Sequence, residues 1–337
     1  MTDLNILPRV SIVIPMYNEE QYIEASVRSV LSQEYPADKL EIHVVDSAST
    51  DDSVQVVQEQ FRDNKSSVYL HNNPARKTPK SLNIGLRAST GDVVIILSGH
   101  AEMQPDFIRL NIDNLRRDQV YCSGGTQVYK GETSKQLSIG AAMNHPFGMA
   151  ASYRYKQKQG YLKTVVYGAY RREVFDKIGF FEEEGAIPDD AELNCRLLKA
   201  GYKIYYDPRI KSSYHPRKTI SSFARQMFKY GYYRNQMFRK DNLGISWFHF
   251  IPPAFVIVLL GLVLAAPFYG WAQKTLALLV IIYGGLILIF TLDAKSKQRK
   301  GRIAWIGLAI MMAHVAWGLG FIRGAIRART QYSEFIR

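Results

Sequence analysis

Apolar and polar positions alternate along this chain with two distinct periods. Val10–Pro15, Glu41–Asp46, Ser67–His71 and Asp92–Leu97 are short runs rich in β-formers, which predicts strands. Asn18–Gln33 and Asp51–Arg62, lying between them, carry apolar residues at helical spacing. Asn18 followed by Glu19, Glu20 and Gln21 reads as an N-cap with acids in the first turn of the first helix. Strands alternating with helices in this way predict an α/β fold: a doubly wound, mostly parallel sheet with right-handed crossovers. In such sheets ligands bind beyond the carboxyl ends of the strands. That rule selects three clusters: Pro15–Glu19, Asp46–Asp51 and Ser98–His100.

The pattern changes after residue 216. Arg217–Lys240 holds seven basic residues and no acid, interleaved with Phe223, Met227, Phe228, Tyr230, Tyr232, Tyr233 and Phe238. A basic, aromatic amphipathic stretch of this kind suits the headgroup layer of a membrane. Trp247–Ala266 and Thr275–Leu292 then follow, each charge-free and long enough to cross the hydrocarbon core. Between the second run and a third, Ile303–Ile322, lie Lys295, Lys297, Arg299, Lys300 and Arg302, which mark that loop as cytoplasmic. The third run is apolar except for His314. A full crossing by it would place Arg323, Arg327 and Arg329 outside, against the same rule, so a span, a re-entrant segment and a surface-lying helix all stay open. The expected organisation is a cytoplasmic domain over 1–216, an interfacial segment over 217–246 and a membrane region over 247–337.

Charge sharpens this division. Residues 1–216 carry 26 Lys and Arg against 27 Asp and Glu, whereas 217–337 carry 17 against 3. A basic excess confined to one end, beside apolar runs, points to anionic membrane lipids and not to nucleic acid. The 47% hydrophobic content excludes a disordered chain. Cys122 and Cys195 cannot form a disulfide framework, and the first residues do not read as a signal peptide, so a reducing cytosol is expected.

Chemistry enters at the strand ends. No Gly-x-Gly-x-x-Gly follows the first strand; Pro-Met-Tyr-Asn-Glu-Glu stands there, which argues against a dehydrogenase-type dinucleotide site. Asp46 could accept from a base N–H or ribose hydroxyls, or cap the next helix; Tyr17 could give a stacking face, or be a surface aromatic. Val-Ser-Ile-Val-Ile-Pro-Met-Tyr-Asn-Glu-Glu (10–20) with Val-Val-Asp-Ser-Ala-Ser-Thr-Asp (44–51) resembles the opening of family 2 inverting glycosyltransferases. Residues 73–86, His-Pro-Phe-Gly (145–148), Gly-Ala-Tyr-Arg-Arg-Glu-Val-Phe (168–175) and Asp-Asp-Ala-Glu-Leu-Asn-Cys-Arg-Leu (189–197) are similar to succinoglycan-type exopolysaccharide glucosyltransferases.

The resemblance implies a GT-A fold on the cytoplasmic face of the bacterial inner membrane, anchored by several spans. It implies transfer of a hexose, glucose in that group, from a UDP-sugar to a polyprenyl-diphosphate-linked sugar. Asp190 matches the base that deprotonates the acceptor hydroxyl, with Asp189 replacing the family's glutamate. Pro15, Tyr17, Asn18, Glu19, Asp46, Arg76, Ser98, Gly99 and His100 match the donor side, with Lys80 a weaker companion to Arg76. His145, Gly168, Ala169, Asp189, Arg225, Gln226 and Lys229 match the acceptor and diphosphate side, and the guanidinium fork suits diphosphate oxygens. Glu192 and Arg196, four apart on one helix, read as an ordinary surface ion pair. The family's divalent cation, Mg or Mn, is held by Asp-x-Asp or Asp-x-His. Here Ser98-Gly99-His100 leaves His100 as the one remaining metal ligand type, a poor hard-cation set by itself. Metal held through the diphosphate plus His100 with Asp189 or another carboxylate assisting, replacement of its charge by Arg and Lys, and impaired catalysis are the three open outcomes. Direct transfer to polyprenyl phosphate and a catalytically silent scaffold of a polysaccharide complex are the competing readings.

Overall fold

The computed structural model describes residues 7–62, 67–149, 158–183, 190–241, 246–298 and 301–326. Its contacts fall into two compact units. One takes the described residues of Met1–Val128 and Gln157–Tyr214; the other takes those of Tyr129–Lys156 and His215–Thr330.

The first unit begins with β1 (Val10–Met16), whose neighbours are β2 (Leu40–Asp46) and β4 (Val93–Ile96); β3 (Val68–Asn72) lies outside β2, and all three pairings are parallel. Residues of β1 and β2 are buried on both faces because helices cover the sheet above and below, which is why these runs are almost continuously apolar. The helices α1 (Ile23–Leu31), α2 (Ser53–Gln60), α3 (Thr78–Ala88) and α4 (Phe107–Leu115) follow β1, β2, β3 and β5 (Ala101–Met103). At Gly85 a Cβ would run into Val13 and Val45, so only glycine lets α3 settle directly on β1 and β2.

Beyond β4 the sheet changes character. Antiparallel β8 (Val166–Arg171) pairs β4 and β6 (Val120–Tyr129), and β9 (Lys203–Tyr214) pairs β5 and β7 (Gly160–Leu162), giving the order β3-β2-β1-β4-β8-β6-β9-β5. The expected mostly parallel sheet is therefore a mixed one, a doubly wound half joined to an antiparallel half. No alternation of strand and helix announces the second half, because antiparallel neighbours need no crossover helix. Two short helices complete the unit, α6 (Glu173–Ile178) and α7 (Asp190–Lys199).

The second unit is helical. It comprises α5 (Ser134–Met143), α8 (Ile220–Asp241), a 3-10 turn over Trp247–Phe250, α9 (Ile251–Ala265), α10 (Gly270–Gln298) and α11 (Ile303–Ile326). Helices α9, α10 and α11 are each long and apolar enough to cross a membrane. The α9–α10 hairpin leaves most of its Leu, Ile and Val exposed, as a lipid-facing surface does. The contact grouping does not divide at residue 216 alone: α5 packs on α10 and α11 and lies in the second unit with them. A capping box closes α5, Thr133 accepting from the Gln136 amide, and the Gln136 side chain bonds the Pro216 carbonyl at 3.2 Å.

Candidate active site

The carboxyl ends of β1, β2 and β3 lead into loops that are strained in the same way. Asn18, Ala48 and Arg76 each have positive φ, 53°, 57° and 54°. Three non-glycine residues in the left-handed region at one sheet rim is a concentration seen at ligand sites, where surrounding contacts hold the strain. Those contacts are visible. The Asn18 side chain accepts from Thr50 N at 2.8 Å, Ser49 Oγ accepts from Asn18 N at 3.0 Å, and Ser53 Oγ accepts from Glu19 N at 2.7 Å. The Asp51 carboxylate accepts from Glu20 N at 3.3 Å and the Glu20 carboxylate from Asp52 N at 3.2 Å, so the β1 and β2 loops are zipped together.

This arrangement corrects the expected N-cap. Helix α1 starts at Ile23, and its first amides, Tyr22 N and Ile23 N, donate to the Glu19 carbonyl at 2.9 Å. Asn18 lies a full turn earlier and serves the loop–loop junction, for which its tolerance of positive φ suits it.

Asp46 ends β2, buried, its carboxylate accepting from Ser49 N at 3.2 Å and its carbonyl from Asn73 N at 2.7 Å. It shapes its own turn and does not cap α2, whose N-cap residue is Asp52. Tyr17 is exposed with the Arg76 guanidinium over its ring at 5.9 Å, so two residues selected separately from the sequence lie together. Asn73 pins the turn carrying Arg76 to α3 through Lys77 O and Ser81 Oγ.

The Ser98-Gly99-His100 turn follows β4. His100 Nδ1 stands 2.6 Å from Glu19 Oε1, and Ser98 Oγ lies 3.1 Å from each ring nitrogen. A carboxylate only accepts, so Nδ1 carries the proton in this contact, which leaves Nε2 as the ring nitrogen available to a ligand. A Cβ at Gly99 would stand 3.1 Å from Glu19 Cγ, so glycine leaves room for the acid to lie across the turn. Among the described residues no group of three His, Cys, Asp or Glu could hold a metal ion. What the turn does offer is one imidazole oriented by a carboxylate, the arrangement of ligating histidines. By itself it is one ligand, and a cation there would need its others from a bound diphosphate.

Asp190 is the first residue of α7, where the helix N-terminus favours a carboxylate. It is close enough to β6 to act on Cys122, whose thiol is pushed up mainly by burial, with the Asp190 charge adding to it against a bond from Tyr170. Asp189 lies outside the described residues. Glu192 and Arg196 do pair, at 2.8 Å, but Glu192 is buried and Arg196 also donates to Phe180 O at 3.0 Å, so the expected surface pair is a clamp on the 178–180 turn. Ala169 is wholly buried in the core and Gly168 packs against Tyr170 and Cys122, which leaves neither a surface for an acceptor.

The remaining expected residues belong to the helical unit. Arg225, Gln226 and Lys229 occupy α8; Gln226 Nε2 donates to Tyr230 Oη at 3.0 Å. Lys229 is held below its ordinary pKa by burial, then by Arg217 and Arg225, so three cations are gathered there. His145 is buried with Nε2 2.9 Å from Asp293 and Nδ1 accepting from Phe147 N, so its described partners tie the α5 loop to α10. No local pattern marks Ser49, Thr50 and Ser53 as loop locks, nor Glu19 and His100 as a pair; the signal present was Gly99, the small residue in the turn that Glu19 crosses.

Comparison with known proteins places this geometry. Over 96% of this chain and 99% of the relative, the sequence is 28% identical to the dolichyl N-acetyl-alpha-D-glucosaminyl phosphate 3-beta-D-2,3-diacetamido-2,3-dideoxy-beta-D-glucuronosyltransferase of Methanococcus voltae. It is 26% identical to the succinoglycan biosynthesis protein ExoA of Rhizobium meliloti, over 93% of each. The mannosyltransferase PcManGT of Pyrobaculum calidifontis, solved with GDP-Man and Mn2+, shares the fold with a TM-score of 0.64 at 21% identity, covering 92% of this chain and 88% of that one. Residues 11–179, from β1 to the end of α6, match Glycosyl transferase family 2. The chain therefore belongs to that family and is a glycosyltransferase with a GT-A-type fold.

Proposed function

We propose that this protein is a membrane-attached inverting transferase that moves a hexose from a UDP-sugar to a sugar carried on a polyprenyl diphosphate. The observation that carries the reading is the likeness to the Methanococcus enzyme along nearly the whole chain, membrane helices included, for that relative's name describes a dolichyl-linked amino sugar as acceptor. The succinoglycan-type motifs favour glucose as the sugar and the cytoplasmic face of the inner membrane as the place.

In this reading Asp190 takes the proton of the acceptor hydroxyl as that oxygen attacks the anomeric carbon. The bond to the nucleoside diphosphate breaks, with inversion, and the pair of electrons leaves on the diphosphate oxygen. Tyr17 and Asp46 hold the base and ribose, and Arg76 meets the phosphates. His100 Nε2 would hold a divalent cation against the diphosphate; when bound, such an ion neutralises developing negative charge. The cations of α8, Arg225 and Lys229 with Gln226 between them, bind the lipid-borne diphosphate, and the basic helical unit faces anionic lipids.

Membranes bearing the protein are incubated with labelled UDP-glucose, UDP-N-acetylglucosamine or UDP-uronate and either a polyprenyl-diphosphate-sugar or bare polyprenyl phosphate. UDP release only with the sugar-bearing lipid supports the reading. Release with bare polyprenyl phosphate selects the lipid-phosphate transferase, and no release with any donor selects the scaffold.

A further inference from the structure

We propose that α11 does not cross the bilayer but lies along its surface, beneath the base of the α9–α10 hairpin, so that the protein has two spans and one in-plane helix. This rests on the reading that α9 and α10 themselves span. Their register is fixed by Phe255 of α9 meeting Tyr283 of α10, ring centroids 4.5 Å apart, which places the start of α9 level with the region just past Tyr283 and the 266–269 turn at the far end.

The contacts of α11 follow that ladder and then turn back. Near its start, Gly307 packs on Thr291 and Ile287, below the first residues of α9. At its middle, His314 Nδ1 meets Tyr283 Oη at 3.0 Å, two turns deeper. Past that point it returns: a Cβ on Gly318 would stand 2.7 Å from Pro252 O, Trp317 stacks on His249, and Phe321 meets Phe250. A spanning helix rises about 1.5 Å per residue, so the 14 residues from Gly307 to Phe321 would carry it ~21 Å toward the 266–269 turn. Phe321 sits instead beside the residue that precedes α9. Both ends of α11 are thus at the end of the hairpin where α9 enters.

Two further observations agree. α11 packs along α8, with Gly231 against Trp317, Gly320 against Phe228 and Gly324 against Tyr232 and Asn235. α8 carries Arg225, Lys229, Arg234 and Arg239, side chains that are costly in hydrocarbon, so the helix bound along it is held at the headgroup level. The apolar surface differs too: α9 and α10 expose Leu, Ile and Val along their lengths, while the exposed large apolar residues of α11 are Ile303, Leu319 and Ile326. An in-plane α11 also keeps Arg302 and Arg323 on one side of the membrane, removing the conflict with the positive-inside rule.

Cysteine accessibility tests this on the full-length protein in sealed right-side-out membranes, with a membrane-impermeant maleimide. Wild type is the blank, because Cys122 and Cys195 are buried. Tyr269→Cys, Ser296→Cys and Ile326→Cys all alter exposed positions. The expected result is labelling of Tyr269→Cys in intact vesicles, with Ser296→Cys and Ile326→Cys below one-tenth of it until the membrane is permeabilised. Labelling of Ile326→Cys alongside Tyr269→Cys means α11 crosses and overturns the proposal. If Tyr269→Cys stays silent until permeabilisation, the spanning hairpin is wrong and the proposal falls with it. Depth-dependent quenching by brominated lipids gives a second readout from variants retaining Trp305 or Trp317 alone. An in-plane α11 gives both the same shallow depth, and a crossing separates them by ~18 Å.

Discussion

Removing the Glu19 carboxylate should disable the donor side without unfolding the domain. The backbone of Glu19 holds the local structure, its N–H bonded to Ser53 and its carbonyl capping α1, and neither bond involves the side chain. What Glu19→Ala removes is the 2.6 Å contact that fixes the proton on His100 Nδ1. Carboxylates that orient a ligating or polarising imidazole typically contribute 10- to 100-fold in affinity or activity. Glu19 and His100 are about one-fifth exposed, at 17% and 23%, so the lower half of that range applies. The expected loss in kcat/KM for the donor is roughly 10- to 30-fold, about 1.4–2 kcal/mol. Glu19→Gln keeps an acceptor oxygen and should recover most of it. Gly99→Ala, which pushes a Cβ toward Glu19 Cγ, should reproduce the defect with both polar partners present. The assay is UDP release against donor concentration, together with a thermal melt of each variant in detergent. Turnover of Glu19→Ala within twofold of wild type, at equal melting temperature, would refute the assignment of His100 to the donor phosphates.

Three other outcomes follow from the structure. Asp190→Asn removes the proposed base and should lower kcat by about 10²- to 10⁴-fold with little change in donor KM, read by UDP release; unchanged kcat moves the base elsewhere. Glu41, buried where β1, β2 and β4 begin, accepts from Ser11 Oγ, Thr90 Oγ1 and Gly91 N. Burial would raise its pKa, yet the bonds from Ser11 and Thr90 outweigh that and hold it down to about 2 from 4.5. The folded pKa is the lower one, so this stability is complete above pH ~4.5 and lost as pH falls toward 2. The stability gap between wild type and Glu41→Gln, by denaturant titration, should shrink by on the order of 3 kcal/mol over that window, and a constant gap would contradict it. Gly320→Leu forces a side chain into the backbone of Phe228 and should destabilise the α8–α11 pair by at least about 1–3 kcal/mol, seen as faster proteolysis in α8.

The sequence alone determined whatever rests on local periodicity and composition. The four parallel strands, their helices and the three apolar runs follow from patterns that neighbouring residues complete by themselves, and the rule about strand carboxyl ends singled out loops that are bonded to one another in the structure. Asp46, Tyr17 and Ser98-Gly99-His100 were legible as candidates for that reason, whereas Arg76 was a candidate through the resemblance alone. Tertiary structure decided what depends on partners distant in the chain. Asn18 looked like a cap until Thr50 claimed its side chain, and Glu19 reaches His100 across 81 residues. The antiparallel half of the sheet, with no crossover helices to mark it, has no periodic signature, and α5 joins α10 and α11 only through packing. Hydropathy measures how apolar a segment is but not its direction, so the sequence leaves the course of Ile303–Ile322 open, and the contacts of α11 with His249, Phe250 and Pro252 carry information that the local pattern lacks.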